Sequence, residues 1–184
     1  MARGRKISPD DILDAAERVV VRLGAAGLSI DLVAREAGVS KSHVLYDHKS
    51  KGALLEALVN RRVQRDQVVV EDCIKEAIDT PHPELFGRIA SVSRRLDDAD
   101  RAVAMAVSAS SSSDDGLQTI MRDWTKVDLD AMSKGEKPEA ALMAYLALSG
   151  FYCVELFDLH RWTDEERTRL LEGFKRVYLS YPEA

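Results

Sequence analysis

The side chains in this chain that could do chemistry are few and dispersed. Four histidines stand at positions 43, 48, 82 and 160, two cysteines at 73 and 153, and adjacent carboxylates only at Asp97-Asp98 and Asp114-Asp115. None of these spacings matches a metal-ligating cluster, a nucleophile with its base, or a glycine-rich loop that cradles phosphate. Catalysis, a bound metal and a cofactor are therefore not expected. The carboxylate pairs read as a helix end and a solvated loop. Cys73 and Cys153 are 80 positions apart in apolar helical surroundings, which suits buried, reduced thiols better than a disulfide or a zinc site.

What remains is binding chemistry, and the charge distribution says where to look for it. The net charge of the 184 residues is -5, but residues 1–51 carry nine Lys/Arg against seven Asp/Glu while the rest carry 17 against 24. Attraction to a polyanion is local over a Debye length of about 8 Å, so an acidic remainder leaves a mildly basic N-terminal end free to bind phosphate. A hydrophobic content of 46% is enough for a substantial core. No run of about 18 apolar residues occurs. The start MARGRK runs straight into polar Ser8, Pro9, Asp10 and Asp11, without the apolar segment of a secretory leader. A cytoplasmic protein with no membrane partner is expected.

The elements that must position any binding groups are helices. No segment sustains the period-two alternation of a half-buried strand, and serine, glycine and proline punctuate helical patterns throughout, so the expected fold class is all-α. Ser8 followed by Pro9 and Asp11 forms a capping box for a first helix over about 9–23, with Ile12, Ala16, Val19 and Leu23 as one apolar stripe and Gly24 and Gly27 as the stop. Ser29 caps a short helix to about Glu36, Ser40 another to about Asp47, and Ser50 opens a long one through Leu54, Leu55, Leu58 and Val63. After the break at Thr80-Pro81-His82-Pro83, helices are expected at about 84–97, 100–110, 117–133, 139–158 and 164–180, with Ser110–Gly116 as a mobile linker. Thr163 with Glu166 makes a second capping box.

The segment Ile30 to Lys51 is the most informative. Two helices can cross tightly only if the first offers a small residue, the turn contains a residue tolerating positive φ, and apolar groups wedge both against a third helix. Ala34, Gly38 and Val44 supply these features, with Val33, Ala37 and Val39 at the remaining buried positions. Together with paired alanines in the first helix, the run V-A-x-x-A-G-V-S-K and S-K-x-x-L-L over Ile12 to Leu55, the segment resembles the TetR (tetracycline repressor) family. The resemblance implies an N-terminal three-helix helix-turn-helix DNA-binding domain over 1–51, and a helical effector-binding and dimerisation domain over 52–184. It implies a ligand-responsive repressor that binds a palindromic operator as a homodimer and is released by a small-molecule effector.

It further implies that Ser40 to Asp47 is a recognition helix lying in the major groove of double-stranded DNA. Lys41, Ser42 and His43, in its first turn, are then expected at base edges. Ser29, Ser40, Tyr46 and Lys51 are expected at phosphates, and the arm Arg3, Arg5 and Lys6 at the backbone or minor groove. Each could instead be an ordinary cap or solvated residue. Leu45-Tyr46-Asp47-His48 departs from the family's usual aromatic run. Leu45 has no hydroxyl for a phosphate, Asp47 would repel the backbone unless paired with Lys or Arg, and His48 is expected as a packed histidine hydrogen-bonded within the small domain.

An effector-controlled regulator needs a cavity, and Phe86, Ile89, Met105, Met121, Trp124 and Tyr152 are the candidates to line it, although the same residues at helical spacing also make plain core. The last two helices are expected to form the dimer interface. There Ala140, Ala141, Ala144, Ala147, Leu148 and Gly150 allow close approach, and Phe151, Val154, Leu170, Leu171, Phe174, Val177 and Tyr178 supply bulk. Two rivals keep the fold: a dimeric DNA-binding protein with a filled core and no effector, and a relative that has lost DNA binding, for which Asp47 is the hint.

Overall fold

A computed structural model describes residues 7–111 and 115–182; the arm residues Arg3, Arg5 and Lys6 and the acidic Asp114 lie outside the described residues. Among the described residues the secondary structure is entirely helical: α1 (Pro9–Gly27), α2 (Ile30–Ala37), α3 (Lys41–Asp47), α4 (Lys51–Glu76), α5 (Pro83–Ser91), α6 (Asp98–Ser111), α7 (Asp115–Met132), α8 (Pro138–Leu156) and α9 (Asp164–Ser180). They form two compact units. The first holds the chain up to Arg62 and from Asp97 to Ile120, and the second holds Val63–Leu96 and Met121 onward. The first thus adds α6 and the leading parts of α4 and α7 to the helices of the expected 1–51 domain.

In the first unit, local chemistry sets the helix starts. Ser8 Oγ accepts from the Asp11 N–H at 3.2 Å while the Asp11 carboxylate accepts from the Ser8 N–H at 2.8 Å, a reciprocal cap that satisfies two otherwise unpaired donors. Along α1, Ile12, Ala15, Ala16, Val19 and Val20 are buried. Leu23, expected on the same stripe, is 47% exposed. The reason is Gly24, whose φ of 68° and ψ of 179° break the helical path one residue later. α1 packs on α2 and α6, and α2 on α3. Arg61 ties α4 to α1 through Asp14 (2.7 Å) and Glu17 (3.0 Å), and Arg62 bonds Asp97 (3.4 Å) and Asp100 at the start of α6. The Asp97-Asp98 pair proves to be a helix start: Asp97 and Asp100 cap each other's N–H groups at 2.7 Å.

The second unit is built on α8. Ala140, Ala141, Ala144, Leu148 and Phe151 pack with Leu85 and Ile89 of α5 and Leu171 and Tyr178 of α9 in one core. This corrects the expected interface, since those five α8 residues and Leu171 and Tyr178 are consumed within the monomer. The opposite face of α8 is also apolar, with Met143 39% and Leu146 50% exposed and Ala147, Gly150 and Cys153 exposed beside them. By length and composition α8 would suffice to cross a membrane. A helix apolar all round needs partners on both sides, and the core supplies one.

α5 ends at Ser91, six residues before the expected boundary. A buried cation from a remote part of the chain explains it. The Arg167 guanidinium donates to the carbonyl oxygens of Val92, Ser93 (2.7 Å) and Arg94 (3.2 Å) and pairs with Glu155 at 2.8 Å, so the carbonyls leaving α5 are satisfied without another helical turn. The α5 start is set by His82, whose Nδ1 accepts from the Leu85 N–H at 3.2 Å while Nε2 lies 2.9 Å from the Lys134 carbonyl oxygen. Gly87 lets α5 approach α4: a Cβ there would sit 2.6 Å from the Ile74 Cα. The thiols are less buried than expected, Cys73 half-buried and Cys153 exposed. Of the Ser110–Gly116 linker, α6 extends to Ser111 and α7 begins at Asp115, with 112–114 outside the described residues.

Candidate functional site

Two places in the molecule have the makings of a site, one in each unit. In the first, α2 and α3 are short helices with strong ends. Ser29 Oγ accepts from the Leu32 N–H at 3.3 Å, and Ser40 Oγ accepts from the His43 N–H at 3.2 Å and lies 2.9 Å from Ser42 Oγ. Gly38 closes α2 in the left-handed conformation (φ 69°, ψ 30°), its N–H reaching the Ala34 and Arg35 carbonyl oxygens. Val33, Ala34 and Val44 are fully buried, which fixes the crossing; Ala37 and Val39, expected inside as well, are only half-buried because the turn carries them to the rim.

With Val44 as its sole buried residue, α3 turns outward the groups expected to touch DNA. Lys41, Ser42 and His43 are exposed in its first turn, Tyr46 is 86% exposed, and Lys51 is exposed at the head of α4. Ser29 is half-buried and Ser40 exposed, each already engaged as a cap. Lys41 Nζ pairs with Asp31 at 2.9 Å, which holds the ammonium over the gap between the helices. Arg18 (2.9 Å) and Arg22 (3.1 Å) of α1 grip Glu36 of α2, and their hydrogen bonds hold its carboxyl below the usual range. Among the described residues no Lys or Arg pairs with Asp47. Its charge acts on neighbouring His48, where burial lowers the imidazole pKa and Asp47 partly opposes that. His48 is packed as expected, but its Nε2 has no hydrogen-bond partner.

The second place is a cavity of about 260 Å³ inside the second unit. Asp66, Val69 and Val70 of α4, Arg88 and Ser91 of α5, Met121, Trp124, Thr125 and Asp128 of α7, and Tyr145, Ser149 and Tyr152 of α8 are among its walls. Of the six residues expected at a pocket, Met121, Trp124 and Tyr152 stand together here. Phe86 and Ile89 instead belong to the α5/α8/α9 core, Phe86 edge-on to Tyr178 with ring centroids 5.8 Å apart. Met105 sits on α6 in the first unit and is 55% exposed.

Sequence reasoning missed the cavity's polar wall. Arg88 Nε donates to Asp128 Oδ1 at 2.9 Å, Nη2 lies 2.7 Å from the same oxygen, and Nη1 donates to the Glu84 carboxylate at 2.7 Å. Tyr145 donates its hydroxyl to Asp128 Oδ2 at 2.8 Å. Burial, followed by the Asp128 charge, pushes the phenol up to about 12. Burial alone would lower Arg88, but its bonds to Glu84 and Asp128 outweigh that and raise it. One signal was available: Arg88 lies between Leu85 and Ile89 on the buried stripe of α5, four residues after Glu84, and a charge there must be paired.

The sequence of the helical pair and the later helices matches known families in the same order. Residues 12–58 match the model described as bacterial regulatory proteins, tetR family, and residues 88–177 match a tetracyclin repressor-like C-terminal domain. The chain belongs to the TetR family. Solved structures agree in fold. A transcriptional regulator from Pseudomonas aeruginosa PAO1 superimposes with TM-score 0.76 at 14% identity, over 97% of this chain and 96% of that one. A TetR-family member from Streptomyces coelicolor A3 gives 0.71 at 20% identity, covering 91% and 96%. A regulator from Saccharomonospora viridis in complex with choline gives 0.70 at 15% identity, covering 94% and 95%. No curated protein matches the chain significantly in sequence. TetR-family proteins are transcriptional regulators, generally non-enzymatic, that join a helix-turn-helix to a ligand-binding domain and typically act as dimers.

Proposed function

We propose that this TetR-family protein is a cytoplasmic, ligand-responsive repressor that binds a palindromic operator as a homodimer and releases it when a small molecule occupies the cavity of the second unit. The observation that carries the reading is α3: a capped helix with a single buried residue, presenting Lys41, Ser42, His43 and Tyr46 to the outside on a scaffold of buried Val33, Ala34 and Val44. Lys41, Ser42 and His43 read base edges; Ser29, Ser40, Tyr46 and Lys51 hold phosphates through hydroxyls, N–H groups and charge. DNA engagement requires Lys41 to leave Asp31, an exposed pair worth little.

The exposed face of α8, Met143, Leu146, Ala147, Gly150 and Cys153, supports a twofold contact in which small residues allow the helices to approach. The lever is α4. It is a single helix of 26 residues whose first turns bury Leu54, Leu55 and Leu58 in the first unit and whose later turns carry Asp66, Val69 and Val70 of the cavity wall. Displacing that wall changes where the helix-turn-helix is held. The neighbour from Saccharomonospora viridis, solved with choline, supports a ligand site on this fold.

Titration of promoter DNA tests the reading. A palindromic site is expected to bind in the range of about 10⁻⁸ to 10⁻¹¹ M, against far weaker binding of a scrambled duplex. Lys41→Ala is expected to weaken binding and to reduce the slope of log K against log salt by about 1 if its contact is to phosphate, or to relax base preference if it is to a base edge. Equal affinity for scrambled DNA, or a monomer in detergent-free solution, overturns the proposal.

A further inference from the structure

The chemistry of the cavity wall says what kind of molecule enters it. Taking the cavity as the effector site, as proposed above, we infer that the effector is a compact organic cation: a protonated amine or quaternary ammonium on an apolar, flat body, with its charge at Asp128.

Three observations carry this. The first is the charge balance. Arg88 and Asp128 face the cavity as a balanced pair, and Glu84, bonded to Arg88 but outside the cavity wall, makes this cluster of one cation and two carboxylates net negative by one. Asp66 and Arg94, the other charged residues of the wall, lie 3.9 Å apart and cancel. The second is availability. Arg88 commits four of its five N–H groups, Nε and one on Nη2 to Asp128 and both on Nη1 to the carboxylate and carbonyl oxygen of Glu84, so an anionic ligand would meet a single N–H flanked by two carboxylates. Asp128 is the opposite case: Oδ1 takes both Arg88 bonds, but Oδ2 takes only the Tyr145 hydroxyl, leaving acceptor capacity for an N–H donor or a diffuse cation. The third is the lining beside that carboxylate. Trp124, Tyr145 and Tyr152 supply aromatic faces attractive to a cation, and Met121 and Val70 supply apolar surface. A volume of about 260 Å³ lies just under the usual range for ligand cavities, roughly 300–1,000 Å³, and limits the guest to a small molecule.

The test uses three probes with one body and three heads on the full-length protein: 3-phenylpropan-1-amine, 3-phenylpropan-1-ol and 3-phenylpropanoate. Binding is read by calorimetry and by Trp124 fluorescence in Trp162→Phe, which removes the chain's other tryptophan. The amine is expected to bind about tenfold more tightly than the alcohol, and the carboxylate most weakly, since a charge-assisted bond is roughly twice as strong as a neutral one. In Asp128→Asn, with the helical circular dichroism spectrum retained, the amine's advantage is expected to collapse to about twofold or less. Alcohol or carboxylate binding as tight as amine, or an undiminished amine advantage in Asp128→Asn, overturns the charge assignment and leaves the effector site standing. If none of the three binds by about millimolar concentration, where ligands of this size should register, both the assignment and the effector reading fall.

Discussion

The two units of this molecule place charge differently. In the first, the ion pairs around α2 and α3, Arg18 and Arg22 on Glu36 and Lys41 on Asp31, are largely exposed, and the buried carboxylate Asp100 is paired with Arg62 away from them, at the start of α6. In the second, two arginines are buried and held by half-buried carboxylates, Arg88 by Glu84 and Asp128, and Arg167 by Glu155. The difference fits the two tasks. A DNA-reading unit needs a rigid apolar wedge and polar groups left free on the outside. A sensing unit needs polarity within, and polarity within must be fully paired to be tolerated. Substitutions that strike buried charge should therefore cost more than substitutions of equal size in the reading unit.

The largest effect is expected from Arg167→Ala. It leaves Glu155 without its cation and the carbonyl oxygens of Val92, Ser93 and Arg94 without their donor. Removing one partner of a buried pair costs about 3–5 kcal/mol. Chemical denaturation followed by tryptophan emission reports it directly, because both tryptophans, Trp124 and Trp162, lie in the second unit. A loss under about 1 kcal/mol would mean that the guanidinium is not the clamp described. Gly87→Ala follows, at about 1–3 kcal/mol. Its new methyl group meets backbone, the Ile74 Cα at 2.6 Å and N at 2.7 Å, and backbone cannot swing aside as a side-chain tip does.

Ser40→Ala moves the test to the reading unit and should cost about 1 kcal/mol, the usual value of a lost N-cap, because the His43 N–H at the start of α3 then loses its side-chain acceptor. Hydrogen exchange is the sharper measure: protection in α2 and α3 should fall, while that of α8 and α9 should not. Comparable loss of protection in both units would show that they are not separable in stability, and the comparison above would fail.

The reading unit was the more legible of the two in the sequence because its determinants are local. Ser8, Ser29, Ser40 and Ser50 each cap a helix three residues away from the N–H they bind, and Gly38 takes the left-handed turn within the same short segment. The departures there are small: Leu23 swings outward with the break at Gly24, and Ala37 and Val39 stay at the rim. The sensing unit depends on partners far along the chain. The end of α5 is fixed by Arg167, more than 70 residues away, and no periodicity within α5 could announce it. On α8, apolar residues surround the whole helix, so composition could not divide the face that packs on α5 and α9 from the face left exposed. Residue type did bring Met121, Trp124 and Tyr152 to one cavity. Phe86 and Ile89 have the same chemistry and face the core, a distinction set by helix rotation alone.

The smallest expected effect is one of pH, and it returns to His48, whose Nε2 the reading unit buries without a hydrogen-bond partner. Burial holds the His48 pKa below its ordinary value near 6.5, against partial opposition from Asp47. The unfolded chain then takes up a proton before the folded one as the pH falls. His48 thus contributes stability that is intact above about 6.5 and is lost as the pH drops toward its folded value. His48→Leu removes the titration and also the unpaired Nε2, so the variant should lose less stability than the parent between pH 8 and pH 5. Thermal melts across that range decide it. Parallel curves for the two proteins would mean that water already reaches the imidazole.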